Sequence, residues 1–246
     1  MATPTARSTA DVRQVIVLAG GEPVTAPLPR ALPAAATVIA ADSGLMLAEP
    51  LGLDVDRIVG DLDSVDADQL ERARARGVPV DRYPVDKDQT DLAIALDAAA
   101  SLAPAEVTVV GGHGGRLDHL LAGTSLLAAA TYAELTIRAL MGPAVVTIVR
   151  DRAGLTGRVG ELVSLLAMHG PARGVVTQGL RFPLDDEELA SGSSRGVSNV
   201  LAEPTAHVSL RDGVLLAVQP GELAPGAPTA LDTPDPDSPD DGADPR

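Results

Sequence analysis

The sequence of 246 residues contains no cysteine and no tryptophan, and its aromatic residues are one phenylalanine and two tyrosines. Without cysteine the chain forms no disulfide bond and binds no metal through thiolates, although the redox compartment stays undetermined. A flat heterocyclic ligand would find few rings on which to stack. The single phenylalanine, Phe182, is therefore either a stacking surface for such a ligand or a plug in the hydrophobic core.

Basic residues are also scarce, since 19 lysines and arginines stand against 34 acidic residues and the net charge is −15. This charge argues against a nucleic-acid partner, and it leaves metal-bridged nucleotides and cationic small molecules open. No apolar run reaches the ~20 residues that a membrane-spanning helix needs, and residues 1–12 lack the apolar core of a secretory signal. We expect a soluble cytoplasmic protein that contacts neither nucleic acid nor membrane.

Hydrophobic residues make up 45% of the chain, which is enough for a substantial core. In the first part, apolar runs without alternation predict strands that are buried on both faces, and helical patterns lie between them. The strand candidates are residues 14–19, 37–41, 57–59, 106–110 and 135–140, and the helix candidates are residues 45–51, 66–76, 89–102 and 117–127. This alternation predicts a doubly wound, mostly parallel α/β domain at residues 13–141.

After Met141 the pattern changes to short apolar runs between Gly, Pro and Asp turns, without clear helices. The strand candidates are residues 144–149, 162–166, 174–178, 206–210 and 214–218. Their spacing predicts a smaller β-sandwich domain at residues 142–219. We expect residues 1–12 to be flexible and the Pro- and Asp-rich residues 220–246 to form a disordered acidic tail.

The first of two acidic segments is Gly60-Asp61-Leu62-Asp63-Ser64, which follows the apolar run at 57–59. In an extended chain, residues separated by one position point the same way, so Asp61 and Asp63 are predicted to face one spot. Two adjacent carboxylates repel each other unless a cation lies between them, and Mg²⁺ takes carboxylates together with substrate phosphates. The same residues are also common in turns without any function.

The second acidic segment is Lys87-Asp88-Gln89-Thr90-Asp91. If a helix begins near Asp88, then Asp88 and Asp91 lie on one face of its first turn, where they could supply further ligands. Ordinary helix capping is the alternative explanation.

A glycine-rich loop at residues 111–115 follows a predicted strand and leads into a predicted helix at Arg116-Leu117-Asp118. Glycines let the backbone approach a ligand closely, and a helix N-terminus offers free N–H groups to anions. This arrangement predicts a phosphate site with Arg116 as its charged partner. A tight turn followed by a capped helix, with Asp118 serving the helix dipole, is the alternative.

Five short motifs follow one another along the chain. They are Ala41-Asp42-Ser43-Gly44, Gly60-Asp61-Leu62-Asp63-Ser64, Asp88-Gln89-Thr90-Asp91, Gly115-Arg116-Leu117-Asp118-His119 and Gly196-Val197-Ser198-Asn199. In this order they closely resemble the motifs of the thiamine pyrophosphokinase family, also called thiamine diphosphokinases. The resemblance extends from Val15 to about Val218 and omits both termini.

The resemblance implies an enzyme that transfers pyrophosphate from ATP to the hydroxyethyl oxygen of thiamine, which gives thiamine diphosphate and AMP and requires Mg²⁺. It also implies an α/β catalytic domain followed by a β-sandwich domain. Members are usually homodimers that hold thiamine between the α/β domain of one subunit and the β domain of the other.

Carried over residue by residue, the resemblance implies three groups of functional residues. The catalytic residues are Asp61, Asp63, Asp91 and Arg116, and the three carboxylates are the Mg²⁺ ligands. The ATP side comprises Gly20, Gly21, Asp42, Ser64, Asp88, Thr90, Gly112 and Gly115. The thiamine side comprises Asp118, Phe182, Ser198 and Asn199.

Three positions depart from the family pattern. Ser43 stands where glycine is common, Phe182 where some members have tryptophan, and Val200 where an acidic residue is frequent. These departures are expected to affect mainly the thiamine side. Two rival functions remain open: a pyrophosphokinase acting on another heterocyclic alcohol such as a hydroxymethylpterin, and a non-catalytic nucleotide- or thiamine-binding regulator of the same fold.

Overall fold

The structure is a computed structural model that describes residues 14–25, 32 and 36–224. The predicted flexible segment at residues 1–12 lies outside the described residues, and so does most of the predicted acidic tail, residues 225–246. Residues 222–224, which the sequence assigns to that tail, instead pair with the start of a strand. The N–H of Leu162 donates to Glu222 O at 2.8 Å, and the N–H of Ala224 donates to Gly160 O at 2.8 Å.

The first half of the chain forms a parallel sheet. Its strands are β1 (Gln14–Leu18), β2 (Thr37–Ala41), β3 (Arg57–Gly60), β4 (Val80–Arg82), β5 (Glu106–Val110) and β6 (Ile137–Met141), in the order β6-β5-β1-β2-β3-β4. All neighbouring pairs in this half are parallel. The carboxyl ends of these strands consequently lie at one edge of the sheet, where the loops that follow them meet.

Helices cover both faces of this sheet. They are α1 (Ala67–Ala75), α2 (Asp91–Ala100), α3 (Leu117–Leu127) and two 3₁₀ helices, Asp42–Leu47 and Ala130–Tyr132. Alternate side chains of β1 serve the two faces: Val15 and Val17 pack with α2 and α3, and Ile16 and Leu18 pack with α1 and the first 3₁₀ helix. A strand that is buried on both faces needs a continuous apolar run, and the doubly wound α/β prediction is confirmed.

The second half of the chain adds antiparallel strands to the same sheet. These are β7 (Ala144–Val149), β9 (Leu162–Ala167), β12 (Asn199–Val200) and β14 (Leu215–Gln219), and the complete ten-strand order is β12-β9-β14-β7-β6-β5-β1-β2-β3-β4. Because β6 pairs directly with β7, the sheet runs without interruption from the α/β half into the β-rich half.

A second sheet of four antiparallel strands packs on this extension. Its strands are β8 (Arg152–Thr156), β10 (Ala172–Gln178), β11 (Glu187–Leu189) and β13 (Thr205–Ser209), in the order β11-β10-β13-β8. Buried side chains of both sheets, including Leu155, Leu165, Val175 and Leu215, fill the space between them. The predicted β-sandwich is therefore confirmed, and one of its two sheets is shared with the α/β half.

Polar contacts also join the two halves. Arg150, just after β7, donates from its Nη2 atom to the carbonyl oxygens of Ala128 and Ala129 at 2.8 Å each. The ring Nε2 of His169 lies 2.9 Å from Ser125 O. The last carbonyl groups of a helix have no partner within the helix, so these contacts satisfy the C-terminal end of α3 from the β-rich half. Within residues 14–25, 32 and 36–224, no helix is long and apolar enough to span a membrane.

Candidate active site

The order of the strands creates a crevice at the carboxyl edge of the sheet. The chain passes from β1 to β2 on one side, but β5 lies on the other side of β1, and ligands of α/β proteins bind where the strand order reverses in this way. The glycine loops that follow β1 and β5 are bonded to each other there. The N–H of Gly112 donates to Gly20 O at 2.7 Å, and the N–H of Glu22 donates to His113 O at 2.8 Å.

Close approach of these two loops requires glycine. A Cβ atom on Gly21 would lie 2.5 Å from His113 O, and Gly21 has a φ of +96°. A side chain at this position would push the loops apart and fill the crevice between them. An added Cβ on Gly20 would also collide, at 2.5 Å from Ser43 Oγ, whereas on Gly112 it would make only ordinary contacts. The predicted approach of the 111–115 loop to a ligand stays a prediction.

Three carboxylates meet beside the glycine loops, and we call Asp42, Asp61 and Asp91 the acidic cluster. They follow β2, follow β3 and begin α2, respectively, and one oxygen from each lies within 4.8 Å of the others. Asp42 and Asp61 are only 8% and 7% exposed. Three elements that are distant in sequence thus bring three negative charges to one buried point.

The local backbone explains how these side chains converge. Asp42 has a φ of +46°, which turns the chain sharply at the end of β2. A Cβ atom on Gly44 would lie 2.0 Å from Leu18 O, so only glycine lets the turn lie against β1. Gly60 has a φ of +137°, and a Cβ atom there would lie 2.9 Å from Asp91 Oδ1 and 3.1 Å from Asp42 Cβ. The acidic cluster therefore packs against Gly60, where there is no room for a side chain.

The charges of the cluster are strongly coupled. Burial raises the pKa of Asp42, a hydrogen bond from the backbone of Ser43 opposes this rise, and the negative charges of Asp91, Asp61 and Asp63 add to it. A hydrogen bond from Lys87 lowers the pKa of Asp61. Lys87 Nζ lies 2.6 Å from Asp61 Oδ2 and 3.1 Å from Asp91 Oδ1, with only 13% of its side chain exposed.

The residues of the acidic cluster fit a magnesium ion. Mg²⁺ prefers oxygen ligands and is usually held by one or two carboxylates, water and substrate phosphates. Asp42 Oδ1 is buried, and no donor among the described residues bonds to it. A buried carboxylate oxygen without a partner is costly, and a cation at this position would satisfy it.

Asp63 does not belong to the cluster, and the expectation that Asp61 and Asp63 project the same way along an extended chain is wrong. The strand ends at Gly60, and Leu62 has a φ of +65°, which breaks the alternation. The N–H of Asp63 donates to Asp61 Oδ1 at 3.3 Å, and the Asp63 carboxylate accepts a bond from Ser64 Oγ at 2.8 Å. These contacts are typical of a turn, although exposed Asp63 still lines the cleft.

The expectation for Asp88 is also wrong. Helix α2 begins at Asp91, and Thr90 caps it by accepting the N–H of Ala93 at its Oγ1 atom, at 3.3 Å. Asp88 therefore precedes the helix and is exposed, so it does not share a helical face with Asp91. The hydroxyl of Thr90 satisfies one of the free N–H groups of the first turn, and this fixes the start of the helix at Asp91.

A cleft of about 450 Å³ contains most of the predicted phosphate-side residues. Those that line it are Gly21, Asp42, Asp61, Asp63, Ser64, Thr90, Asp91, Gly112, Gly115 and Arg116. Gly20 and Asp88 do not line it. Ser43 does, so this departure from the family pattern lies beside the acidic cluster.

Arg116 and Asp118 contact each other. Arg116 Nε donates to Asp118 Oδ1 at 3.1 Å, both side chains are exposed, and this bond lowers the pKa of Asp118. The sequence assigned Arg116 to the phosphate side and Asp118 to the thiamine side. In the structure they form one ion pair at the start of α3 through Nε and Nη2 of Arg116, and the N–H groups of Nη1 are still available to a phosphate.

The remaining thiamine-side residues lie far from the cleft. Phe182 is 58% exposed, which excludes the core-plug alternative, and its backbone is held by Asn199. Asn199 Nδ2 donates to Phe182 O at 2.7 Å, and Asn199 Oδ1 accepts the N–H of Phe182 at 3.0 Å. Asn199 belongs to β12, at the far end of the ten-stranded sheet. Strand spacing of 4.7–4.9 Å places β12 on the order of 30 Å from β2 and β3.

Ser198 precedes β12 with a φ of +59°, is exposed, and donates its N–H to Ser164 Oγ at 3.1 Å. Val200, the third departure from the family pattern, is buried in β12. The structure therefore keeps Phe182, Ser198 and Asn199 together but does not bring them to the acidic cluster of the same chain.

Sequence reasoning missed the position of Lys87. It was noted only as part of the second acidic segment, yet its ammonium group bridges Asp61 and Asp91. The sequence does contain a signal, because Lys87 is the only lysine in a chain that otherwise uses arginine for its permanent positive charges.

Substitution of Gly60 by alanine is expected to weaken binding of Mn²⁺, used as a spectroscopic substitute for Mg²⁺, by about tenfold or more. The added methyl group displaces the Asp91 carboxylate, and mutation of groups that hold metal ligands in position typically costs 10–100-fold in affinity. Electron paramagnetic resonance titration of the nucleotide-free protein measures this affinity. Gly77→Ala is the matched control, because Gly77 also has a positive φ, of +80°, but nothing lies within 4 Å of its added Cβ. Equal Mn²⁺ affinities in the two variants would contradict the prediction.

Comparisons with known proteins agree on one family. The family model "Thiamin pyrophosphokinase, catalytic domain" matches residues 28–139, and "Thiamin pyrophosphokinase, vitamin B1 binding domain" matches residues 147–215. The chain is 25% identical over 189 residues to a thiamine pyrophosphokinase of Bacillus subtilis (strain 168), which covers 74% of this chain and 86% of that protein.

Solved structures show the same fold. The thiamine pyrophosphokinase structure from Bacillus subtilis aligns with a TM-score of 0.75 at 23% identity and covers 86% of this chain and 100% of that chain. The structure from Geobacillus thermodenitrificans aligns with a TM-score of 0.70 at 25% identity, with coverage of 87% and 99%. Since the two family models together match most of the chain in the expected order, the chain belongs to the thiamine pyrophosphokinase family.

Proposed function

We propose that the protein transfers pyrophosphate from ATP to the hydroxyethyl oxygen of thiamine and releases thiamine diphosphate and AMP. The observation that carries the proposal is the acidic cluster, which lies beside two hydrogen-bonded glycine loops in a cleft of about 450 Å³. In the reaction, the hydroxyl oxygen of thiamine forms a bond to the β-phosphorus of ATP, and its proton is released to water. The bond from that phosphorus to the oxygen bridging to the α-phosphate breaks, and AMP leaves.

Phosphoryl-type transfer depends on alignment and on neutralisation of charge more than on covalent help from the protein. Asp42, Asp61 and Asp91 would hold Mg²⁺ in this cleft, and neutralisation of the phosphate charge is the chemistry that bound Mg²⁺ supplies. The glycine loops offer backbone N–H groups to the phosphates, and Arg116 adds a positive charge at the start of α3.

Recognition of thiamine is proposed to rest on the exposed ring of Phe182 and on the negative charge of the protein. Thiamine is a cation, and a net charge of −15 favours its approach. Asn199 positions Phe182 through its backbone and does not need to contact the substrate, since its side-chain amide is already bonded to Phe182.

We further propose that the protein acts as a homodimer. Phe182 and the acidic cluster of one chain are separated by most of the ten-stranded sheet, so one molecule of thiamine cannot touch both. Two copies related by a twofold axis could bring the Phe182 region of one subunit to the cleft of the other. A cytoplasmic location stays a prediction.

The test is an assay of the purified protein with thiamine, ATP and Mg²⁺, with separation of all products by chromatography. Equal amounts of AMP and thiamine diphosphate are expected. Formation of ADP with thiamine monophosphate would contradict pyrophosphate transfer. Turnover of a hydroxymethylpterin in place of thiamine would indicate the rival substrate, and the absence of any AMP would indicate a non-catalytic binding protein.

A further inference from the structure

The ammonium group of Lys87 lies inside the acidic cluster. Its Nζ atom is 2.6 Å from Asp61 Oδ2 and 3.1 Å from Asp91 Oδ1, and its side chain is 13% exposed. Without a cation between them, the negative charges of Asp61 and Asp91 would repel each other. Lys87 therefore already performs the electrostatic task that a metal ion performs at such a site.

The residue type fits this place. The chain uses arginine at 18 positions and lysine only at position 87. An ammonium group is a compact charge with three donors on a flexible stem, whereas guanidinium is a planar group whose donors have a fixed geometry. A lysine can contact two carboxylates that converge from β3 and α2, and it can also withdraw along its stem.

We propose that Lys87 is an internal cation that occupies the acidic cluster before the metal arrives and must leave the Asp61–Asp91 pair when a divalent cation binds. An ammonium group and a divalent ion held by the same two carboxylates repel each other in a buried site. Lys87 therefore stabilises the metal-free protein and weakens its affinity for metal. This inference rests on the metal site of the proposed function.

The first test is Mn²⁺ titration of the nucleotide-free protein, followed by electron paramagnetic resonance. The substitution Lys87→Met removes the competing charge and is expected to lower the Kd for Mn²⁺ by about tenfold or more, because the metal no longer has to displace an ammonium group from Asp61 and Asp91. Lys87→Arg keeps the charge and is expected to show no such gain. Arg158→Gln, which removes an equal charge at an exposed position of the β-rich half, is expected to stay within about twofold of the parent protein.

The outcomes separate the two hypotheses. Equal Kd values in the parent protein and Lys87→Met would overturn the role of Lys87 and leave the metal site intact. If the parent protein and both Lys87 variants bind no Mn²⁺, the metal site itself is wrong, and with it this inference.

The second test needs no substitution. Because Lys87 is the only lysine, an amine-selective reagent can modify only this side chain and the N-terminal amine, and mass spectrometry distinguishes the two. Addition of Mg²⁺ is expected to raise the modification rate of Lys87 about tenfold while the N-terminal rate stays constant. An unchanged or lower rate for Lys87 would show that the ammonium group stays in place, and the inference would be overturned.

Discussion

Asp61→Asn is expected to lower kcat by about a hundredfold or more, the loss typical of one group that stabilises a transition state. Asp61 is the least exposed member of the acidic cluster. Its carboxylate contacts Lys87 and has an oxygen within 4.8 Å of an oxygen of each of the other two carboxylates. Asparagine preserves the volume of the side chain but removes its charge, so the ligand set is weakened while packing is kept. The measurement is the rate of AMP formation at saturating ATP, thiamine and Mg²⁺, with thermal unfolding to verify the fold.

Two further variants make this experiment specific. Asp54→Asn removes an equal charge from a side chain that is 97% exposed, and it is expected to leave kcat unchanged. Asp63→Asn distinguishes the ligand set implied by the sequence from the one that the structure brings together. The Asp63 carboxylate is exposed and bonded to Ser64, so the decrease in kcat of Asp63→Asn is expected to be smaller than that of Asp61→Asn. Full activity of Asp61→Asn would disprove the role of the cluster.

The strands that could be predicted from the sequence share one property, which is a run of apolar residues. Strand β1 illustrates this, since four of its five residues are buried. The missed strands β4, β8, β11 and β12 are short or exposed; β8 buries only Leu155. Their positions depend on pairing with neighbours, and no local pattern records such pairing.

The continuity of the large sheet could not be predicted either. Apolar periodicity indicates that a strand is buried, but it does not indicate which strand lies beside it. The hairpin from Met141 to Ala144 joins β6 to β7 and thereby turns two expected domains into parts of one sheet. This hairpin sets the position of the β-rich half relative to the cleft. It therefore also determines that Phe182, Ser198 and Asn199 do not reach the acidic cluster of the same chain.

The candidate site was predictable as a set of residues and not as a geometry. Asp42 was assigned to the ATP side because of its motif, and only the pairing of β2 with β3 brings it to Asp61. Asp63 was misplaced because the positive φ of Leu62 is invisible in the sequence. Lys87 lacked a role because its contacts connect the segment before α2 with the loop after β3, which a linear motif does not reveal.

Phe182→Ala is expected to lower kcat/KM for thiamine by about tenfold or more, because a buried aromatic contact contributes about 1.5–3 kcal/mol. The ring is exposed in the single chain, so its removal is not expected to disturb folding. If two subunits share each site, Phe182→Ala and Asp61→Asn damage different halves of it. Each variant alone then has both of its sites impaired, whereas a mixed dimer keeps one site in which both halves are intact.

Coexpression of Phe182→Ala and Asp61→Asn in equal amounts is therefore expected to restore about a quarter of the parent activity at low thiamine, since about half of the dimers are mixed and each has one intact site. The comparison value is the mean of the activities of the two variants, each assayed separately at the same total protein concentration. Asp42→Asn coexpressed with Asp61→Asn is the matched control, because both substitutions lie in the same half of the site and no intact site can form. Activity that equals this mean in both pairs would show that each chain binds thiamine by itself, in which case Phe182 has no part in recognition across the dimer.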